Sequence, residues 1–445
     1  MTSIIQSFTD PVLQAPTIGS MLMCLASALI GVIVFLRKRS LLGEALSHAS
    51  YPGVVLSVLV VAALFPTFQE VMPVAILIGA SATSFLGLWA IERLERRFSI
   101  KSDAALCFIL SVFFGVGILI ASRLQVTHAL WYKTIQIFLY GQAATLTDVH
   151  IVIYTVLVVM TIGILIALFR QIEMVIFDRS FSKCVGIKVS LVDTVLFALL
   201  ILAIVIGIRS VGVVLMAGML IAPAVTARQL TNRLSVMLVL AAIFGAVSGF
   251  LGNYLSVMIP EWGQERGLEW KFSLPTGPMI LLSASCMSIF ALLFASEKGI
   301  VSRSLRIAAF RIQCLSENLL KYFWKQGKDG SVSVKEIHKW HHLGSWQVRF
   351  LLWNLRRQGW VKKNRNGHFA LTRDGWLRGE RIVRLHRLWE VYLVYLGQGV
   401  EKVHRSAEEM EHILTPELEK ELTELLQDPR HDPHDQPIPR SKELL

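Results

Sequence analysis

Two runs in the last quarter of the chain carry residue types and spacings that hold a metal ion. His386 and Glu390 stand four apart in RGERIVRLHRLWEVYLVYL, and His404, Glu408, Glu411 and His412 follow at i, i+4, i+7 and i+8 in VEKVHRSAEEMEHIL. On helices these spacings place each set on a single face. Two such helices packed together offer six oxygen and nitrogen donors. An acidic amphipathic face would account for the glutamates, but it does not ask for histidines at ligand spacing. With no thiolate among the donors, the set suits a harder divalent ion, Fe2+ or Mn2+, over a cysteine-type zinc site.

A second carboxylate and imidazole, Glu44 and His48 in SLLGEALSH, also stand one helical turn apart. Such a pair either lines an ion path or is an ordinary interfacial pair at a helix end, and the spacing leaves both open. A third group of residues suits a polyanion. Residues 297–387 hold 20 Lys and Arg against 6 Asp and Glu, whereas 388–445 hold 6 against 13, so one half of the tail is built to meet nucleic acid or anionic lipid and the other is not.

These groups are positioned by two kinds of sequence. The chain has 445 residues, 54% hydrophobic and 17% charged, more apolar than a soluble protein of this size requires. Uncharged or nearly uncharged runs long enough to cross a bilayer lie near 17–36, 49–65, 71–91, 104–121, 149–169, 191–208, 211–227, 235–259 and 277–296. They predict about nine spans, or eight if the Arg209-Ser210 break is a re-entrant helix. Lys and Arg collect in alternate loops, at 37–39, 93–101, 170–188, 228–233 and after 297, which puts the N-terminus outside and the tail in the cytoplasm. The segments 122–148 and 260–276 carry Trp131, Tyr132, Trp262 and Trp270, which suit an aromatic belt at the outer interface or, alternatively, a docking surface for an external protein. A soluble enzyme, a secreted disulfide scaffold and a disordered chain are excluded, and the five cysteines form no CxxC pair.

In the tail, Ile312 to Lys325 has an amphipathic pattern, and Ser333 with Glu336 forms a capping box opening a second helix. A third helix follows Ser345, with Val348, Leu351, Leu352 and Leu355 on its buried face. Asn366-Gly367 between two apolar runs predicts a hairpin. The whole reads as a winged helix-turn-helix in which Gln347 and Arg349 reach base edges while Lys362, Lys363 and Arg365 meet phosphates.

RSLLGEALSHASYPGVVL (39–56), FDRSFSKCVGIKV (177–189), VGVVLMAGMLIAPAVTARQLTNRL (211–234) and SLPTGPMIL (273–281) together resemble the permease subunits of ABC transporters that import zinc, manganese or iron, over residues 15–296. The family usually has aspartate where this chain has Glu44 and keeps the histidine of His48, so the resemblance implies that these two line the metal path. No GxxxxGK[ST] phosphate loop occurs in the chain, so no nucleotide is expected on it and a cytoplasmic ATPase partner is implied. The pattern of Asp178, Phe181, Val185 and Gly186 suits a short helix docking into that ATPase. A second permease subunit or copy and an extracytoplasmic metal-binding protein complete the implied importer.

From about residue 312, the motifs KVHxxxExxEH (402–412) and HRLxE (386–390) and the terminal Pro437-Ile438-Pro439 resemble the DtxR-type metal-dependent repressors. Carried over by position, the ligands are His386, Glu390, His404, Glu408, Glu411 and His412. Glu408 stands where iron-responsive members have cysteine, and Asn318 where the first helix supplies a methionine or aspartate. The resemblance implies a divalent metal co-repressor, operator DNA and a homodimer of the tail.

The expectation is therefore an all-α polytopic membrane domain of about eight to nine transmembrane helices (1–296), a basic cytoplasmic linker (297–311), a winged helix-turn-helix (312–375) and a helical metal-binding and dimerisation domain (376–445). The protein is expected in a bacterial inner membrane, with 296–313 as an exposed linker whose cleavage would release the tail. A tethered regulator with no transport activity is the alternative.

Overall fold

The computed structural model describes residues 4–64, 71–127, 129–266, 274–327, 330–341 and 344–440. The chain divides into two compact units, Met1–Ser302 and Arg303–Leu445. The first is helical throughout: α1 (Gln6–Thr9), α2 (Pro11–Leu36), α3 (Leu41–Leu64), α4 (Met72–Arg97), α5 (Ser102–Thr127), α6 (Ala129–Tyr140), α7 (Asp148–Ala167), α8 (Phe169–Phe177), α9 (Arg179–Cys184), α10 (Val189–Val211), α11 (Met216–Leu230), α12 (Leu234–Glu265) and α13 (Thr276–Phe294).

Among the described residues, eight helices are long and apolar enough to cross a membrane: α2, α3, α4, α5, α7, α10, α12 and α13. The ninth expected segment is α11, with 15 residues. At about 1.5 Å per residue it reaches roughly 22 Å, short of an apolar layer about 30 Å thick. The break before it falls at Gly212, just after the Arg209-Ser210 position expected. Gly212 has φ +94°, a conformation that stops α10 without strain only at glycine. The broken backbone is stapled to the end of α6, since Val213 N–H donates to Phe138 O and Gln142 N–H to Arg209 O, both at 3.0 Å.

Lipid provides no hydrophobic force between spanning helices, so close backbone contact and polar links must supply it. Ala241, Gly245 and Gly249 repeat every four residues along α12 and let it lie against α2. A Cβ on Gly245 would sit 2.6 Å from Cys24 O, and one on Gly249 2.7 Å from Ser20 O. One turn on, Asn253 Nδ2 donates to Thr17 Oγ1 at 2.7 Å. Trp131 and Tyr132 pack half-buried against the helix core, where the sequence suggested an interfacial belt, and Trp262 carries the Arg266 guanidinium 4.0 Å over its ring. Trp270 lies outside the described residues.

In the second unit the order is α14 (Ile300–Lys325), α15 (Val334–His341), α16 (Ser345–Arg357), β1 (Val361–Lys363), β2 (Phe369–Leu371), α17 (Arg373–Tyr395), α18 (Val400–Met410) and α19 (Pro416–Leu425). The stretch expected as an exposed linker, 296–313, is helical from Ile300, because no glycine or proline interrupts 300–325 and arginine, leucine and alanine favour a helix. Residues 303–311 of this helix are nevertheless exposed. The expected core face of α16 is buried at all four positions, Val348, Leu351, Leu352 and Leu355, against Leu319, Phe323 and Ile382.

The capping box forms as expected: Ser333 N–H donates to Glu336 Oε2 at 2.7 Å, and Glu336 N–H to Ser333 Oγ at 3.3 Å. Strands β1 and β2 pair antiparallel, Val361 opposite Leu371 and Lys363 opposite Phe369. Gly367, φ +79°, closes the turn by donating its N–H to Asn364 O at 3.0 Å.

Candidate functional site

The metal-ligand face is assembled by a helical hairpin. Thr372 Oγ1 caps α17 by accepting from Gly375 N–H at 3.1 Å. The helix ends at Gly397, whose φ of +87° and N–H to Val394 O at 2.8 Å reverse the chain. Helix α18 then returns against α17. His386 and Glu390 on α17, with His404 on α18, bring one donor atom each to within 4.8 Å of one another. His386 Nε2 lies 3.0 Å from His404 Nδ1 and 3.2 Å from Glu390 Oε1, and His404 Nδ1 is 2.7 Å from that same oxygen.

Burial differs across this cluster, with Glu390 2% and His386 5% exposed while the His404 side chain is half exposed. Burial pushes the Glu390 carboxyl up, but bonds from His386 and His404 outweigh it and bring the group down to about 2. Burial lowers His386, yet Glu390 and Glu411 together raise it above the usual imidazole value. The chemistry is that of two imidazoles and one carboxylate converging from two helices, which fits a divalent transition ion without thiolate.

Three of the six expected donors therefore converge, and the other three do not join them. Glu408 is exposed at the rim, 3.7 Å from His404 Nε2. Glu411 lies on the opposite nitrogen of His386, its Oε2 2.5 Å from Nδ1. His412 turns to Glu317, with its Nδ1 2.7 Å from Glu317 Oε2. Two residues missed in the sequence enter here, Glu317 and Lys321, both from α14. Lys321 Nζ donates to Glu411 Oε2 at 2.8 Å, and Arg378 and Gln313 donate to Glu317 Oε1 at 3.0 and 3.3 Å. Their four-residue spacing puts them on one helical face, whereas Asn318, the position suggested by resemblance, is only half-buried.

The base of α17 is anchored by Arg384, 3% exposed. It donates to Thr423 Oγ1 at 3.1 Å and to Pro439 O at 2.7 Å. The Pro437-Ile438-Pro439 segment is thereby held on the helix, and Arg387 also donates to Pro437 O.

In the winged-helix part, Arg349, Lys362, Lys363 and Arg365 are exposed, with the Lys363 ammonium 6.0 Å over the Phe369 ring. Gln347 is already engaged, its Oε1 accepting from Gly344 N–H at 2.9 Å. It closes the start of α16, and this leaves less of the amide for a base edge. The same helix exposes Trp346, Phe350 and Trp353, an apolar stripe that the charge count did not reveal.

In the first unit, α9 is a short, capped helix of six residues. Asp178 Oδ1 caps it by accepting from Ser180 N–H at 2.8 Å and Phe181 N–H at 3.0 Å. Gly186, φ +89°, ends it. Phe181 within it and Val185 at its C-cap are exposed, so the expected residues divide into helix ends (Asp178, Gly186) and exposed side chains. The helix is fixed to the bundle by Asp193, which pairs with Arg179 and, at 2.8 Å, with Arg37. Glu44 occupies the first turn of α3 and is half-buried. His48 is buried, its Nδ1 without a hydrogen-bond partner among the described residues and its ring edge-on to Phe114 at 4.5 Å.

Residues 9–295 match the ABC 3 transport family, and residues 372–440 match the metal binding and dimerisation domain of iron dependent repressors. A probable metal transport system membrane protein of Chlamydia trachomatis serovar D is 36% identical over 97% of both chains. The manganese transport system membrane protein MntC of Bacillus subtilis is 33% identical over 85% of this chain and 83% of its own. The structure of PsaBC from Streptococcus pneumoniae in complex with Fab superposes with a TM-score of 0.56 at 26% identity, covering 68% of this chain and 98% of the other. The chain belongs to the ABC 3 transport family, as a metal permease fused to a DtxR-type metal-dependent repressor domain.

Proposed function

We propose that the permease part carries a divalent transition metal, iron, manganese or zinc, into the cytoplasm, and that the tail reads the same metal with iron or manganese as co-repressor. The observation that carries this is the convergence of buried His386 and Glu390 with half-exposed His404 in a chain whose other part is a metal permease. A bound ion would supply a cross-link between α17 and α18. Glu390 and His386 contribute from α17 and His404 from α18, so the donor set is complete only when the hairpin is closed. Arg349 and the wing cations Lys362, Lys363 and Arg365 then serve operator DNA, and the tail acts as a homodimer on two half-sites.

In the permease, the buried, unpartnered Nδ1 of His48 and the Glu44 carboxylate one turn away serve the passing ion. The exposed Phe181 and Val185 receive a cytoplasmic ATPase, while a second permease subunit or copy and an extracytoplasmic binding protein complete the importer in the inner membrane, with the tail on the cytoplasmic side.

Radiolabelled manganese and iron uptake tests this in cells carrying the chain, its ATPase and its binding protein. Glu44→Ala and His48→Ala are expected to abolish uptake and leave Mn2+-dependent operator binding by the purified protein intact. Glu390→Ala and His404→Ala are expected to do the reverse. Uptake unaffected by both permease substitutions would favour a tethered regulator that transports nothing.

A further inference from the structure

The donors contributed from the end of α18 onward form a separate arrangement. Glu411 is 2% exposed, and a carboxylate this deep requires a cation or several hydrogen bonds. One side of it holds His386 Nδ1, 2.5 Å from Oε2. The other receives the Lys321 ammonium, 2.8 Å from Oε2 and 3.2 Å from Oε1. Lys321 is itself buried. Beside them, His412 Nε2 is buried without a hydrogen-bond partner among the described residues, 3.7 Å from Glu411 Oε1.

Imidazole ligands commonly hold their distal N–H on a carboxylate, which fixes the tautomer and the ring orientation. Glu411 stands in that relation to His386 and turns Nε2 toward Glu390 and His404. Its remaining negative charge is met by a cation the chain carries on α14. An ammonium and a divalent ion compete for the same carboxylate oxygens, because the ion must approach them to about 2.1 Å.

We propose that Lys321 is a resident cation that keeps metal out of the Glu411 and His412 pair, so that the tail holds one divalent ion, at His386, Glu390 and His404, with Glu411 as its positioning residue. This rests on the assignment of those three donors as the metal centre. Glu411 Oε1 and His412 Nε2 already face each other at 3.7 Å, close to the separation of about 3.0–3.4 Å at which two donors share one ion.

The test is a Mn2+ titration of the full-length protein in detergent, with free Mn2+ read from its EPR signal. Ions held by the permease part are common to every variant, so differences between variants count those in the tail. Lys321→Met and, separately, Lys321→Gln are expected to raise the number bound by one, and adding Glu411→Gln to either removes the gain. An unchanged count in both Lys321 variants overturns the proposal. His404→Ala is expected to lower the count by one; if it does not, the three-donor assignment fails, while the Lys321 increment still stands or falls alone.

Glu411→Gln by itself should keep the His404-dependent ion with affinity lower by about 10–100-fold and leave the line shape of bound Mn2+ unaltered. A changed line shape would make Glu411 a ligand and overturn its positioning role. Thermal melting gives an independent readout. The metal-free Lys321→Met protein should melt below the unsubstituted one and gain more from Mn2+, and equal gains overturn the proposal.

Discussion

At the level of single residues, the donor spacing of the tail was legible, but the division of labour within it was not. Helical periodicity places His404, Glu408, Glu411 and His412 on one face, yet a face about 100° wide lets neighbouring donors point to different partners. His404 meets Glu390, Glu411 meets Lys321, and Glu408 stays in water. Lys321 lies 90 positions upstream of Glu411, in a helix whose cations read as part of a polyanion-binding face, so nothing local marks it. The asymmetry has a measurable consequence. In Mn2+ titrations Glu408→Ala should change affinity little, whereas Glu390→Ala should cost at least about tenfold, since even partners one shell removed from a metal cost that much. Equal losses would place Glu408 among the ligands. Arg384 gives a stability counterpart: Arg384→Met removes a buried guanidinium that also lies 3.5 Å from Glu419, and should destabilise the tail by roughly 3 kcal/mol or more in denaturant melts.

At the level of elements, patterns confined to one helix were read well and those set by a neighbour were not. The capping box at Ser333, the buried face of α16 and the Asn366-Gly367 turn follow from local sequence and formed as expected. The length of α11 did not, because its start is set by Gly212 against the end of α6. Helix α9 shows both cases. Asp178→Ala should cost about 1 kcal/mol as a lost N-cap, loosening a six-residue helix without touching its exposed side chains. Phe181→Ala with Val185→Ala should instead leave the fold unaltered and abolish co-purification of the ATPase. Retention of the ATPase by the double variant would remove α9 from the docking surface. On α12, Gly249→Leu should prevent recovery of folded protein from membranes, since its Cβ meets Ser20 backbone and not a movable side chain.

At the level of the whole molecule, composition alone separated a lipid-facing from a water-facing part, and the structure divides close to that point, between Ser302 and Arg303. What composition could not supply is the state of the chain across the division. Residues 303–311 read as an open linker because they bear Arg303, Arg306 and Arg311 with no core pattern, but a helix needs no core pattern to form when its neighbours continue it. This changes the expected route to a free tail. Backbone in a helix must open before a protease can bind it, and the turn just before α14 is itself tied down, by Lys298 Nζ donating to Arg228 O at 2.9 Å and Ser302 Oγ to Ala295 O at 2.9 Å. The exposed half of α14 has little packing to hold it closed, and an isolated helix of that length is marginal in water. Limited trypsin digestion of the detergent-solubilised chain should therefore cut first at Arg303, Arg306 or Arg311, releasing the winged helix and metal hairpin together, as read by the mass of the C-terminal fragment. Ser304→Ala, which raises helix propensity without removing a cleavage site or the Ser302 tie, should slow that cut only if opening of the helix limits it. First cleavage elsewhere, or a rate indifferent to helix propensity in this segment, would mean that release does not proceed through α14.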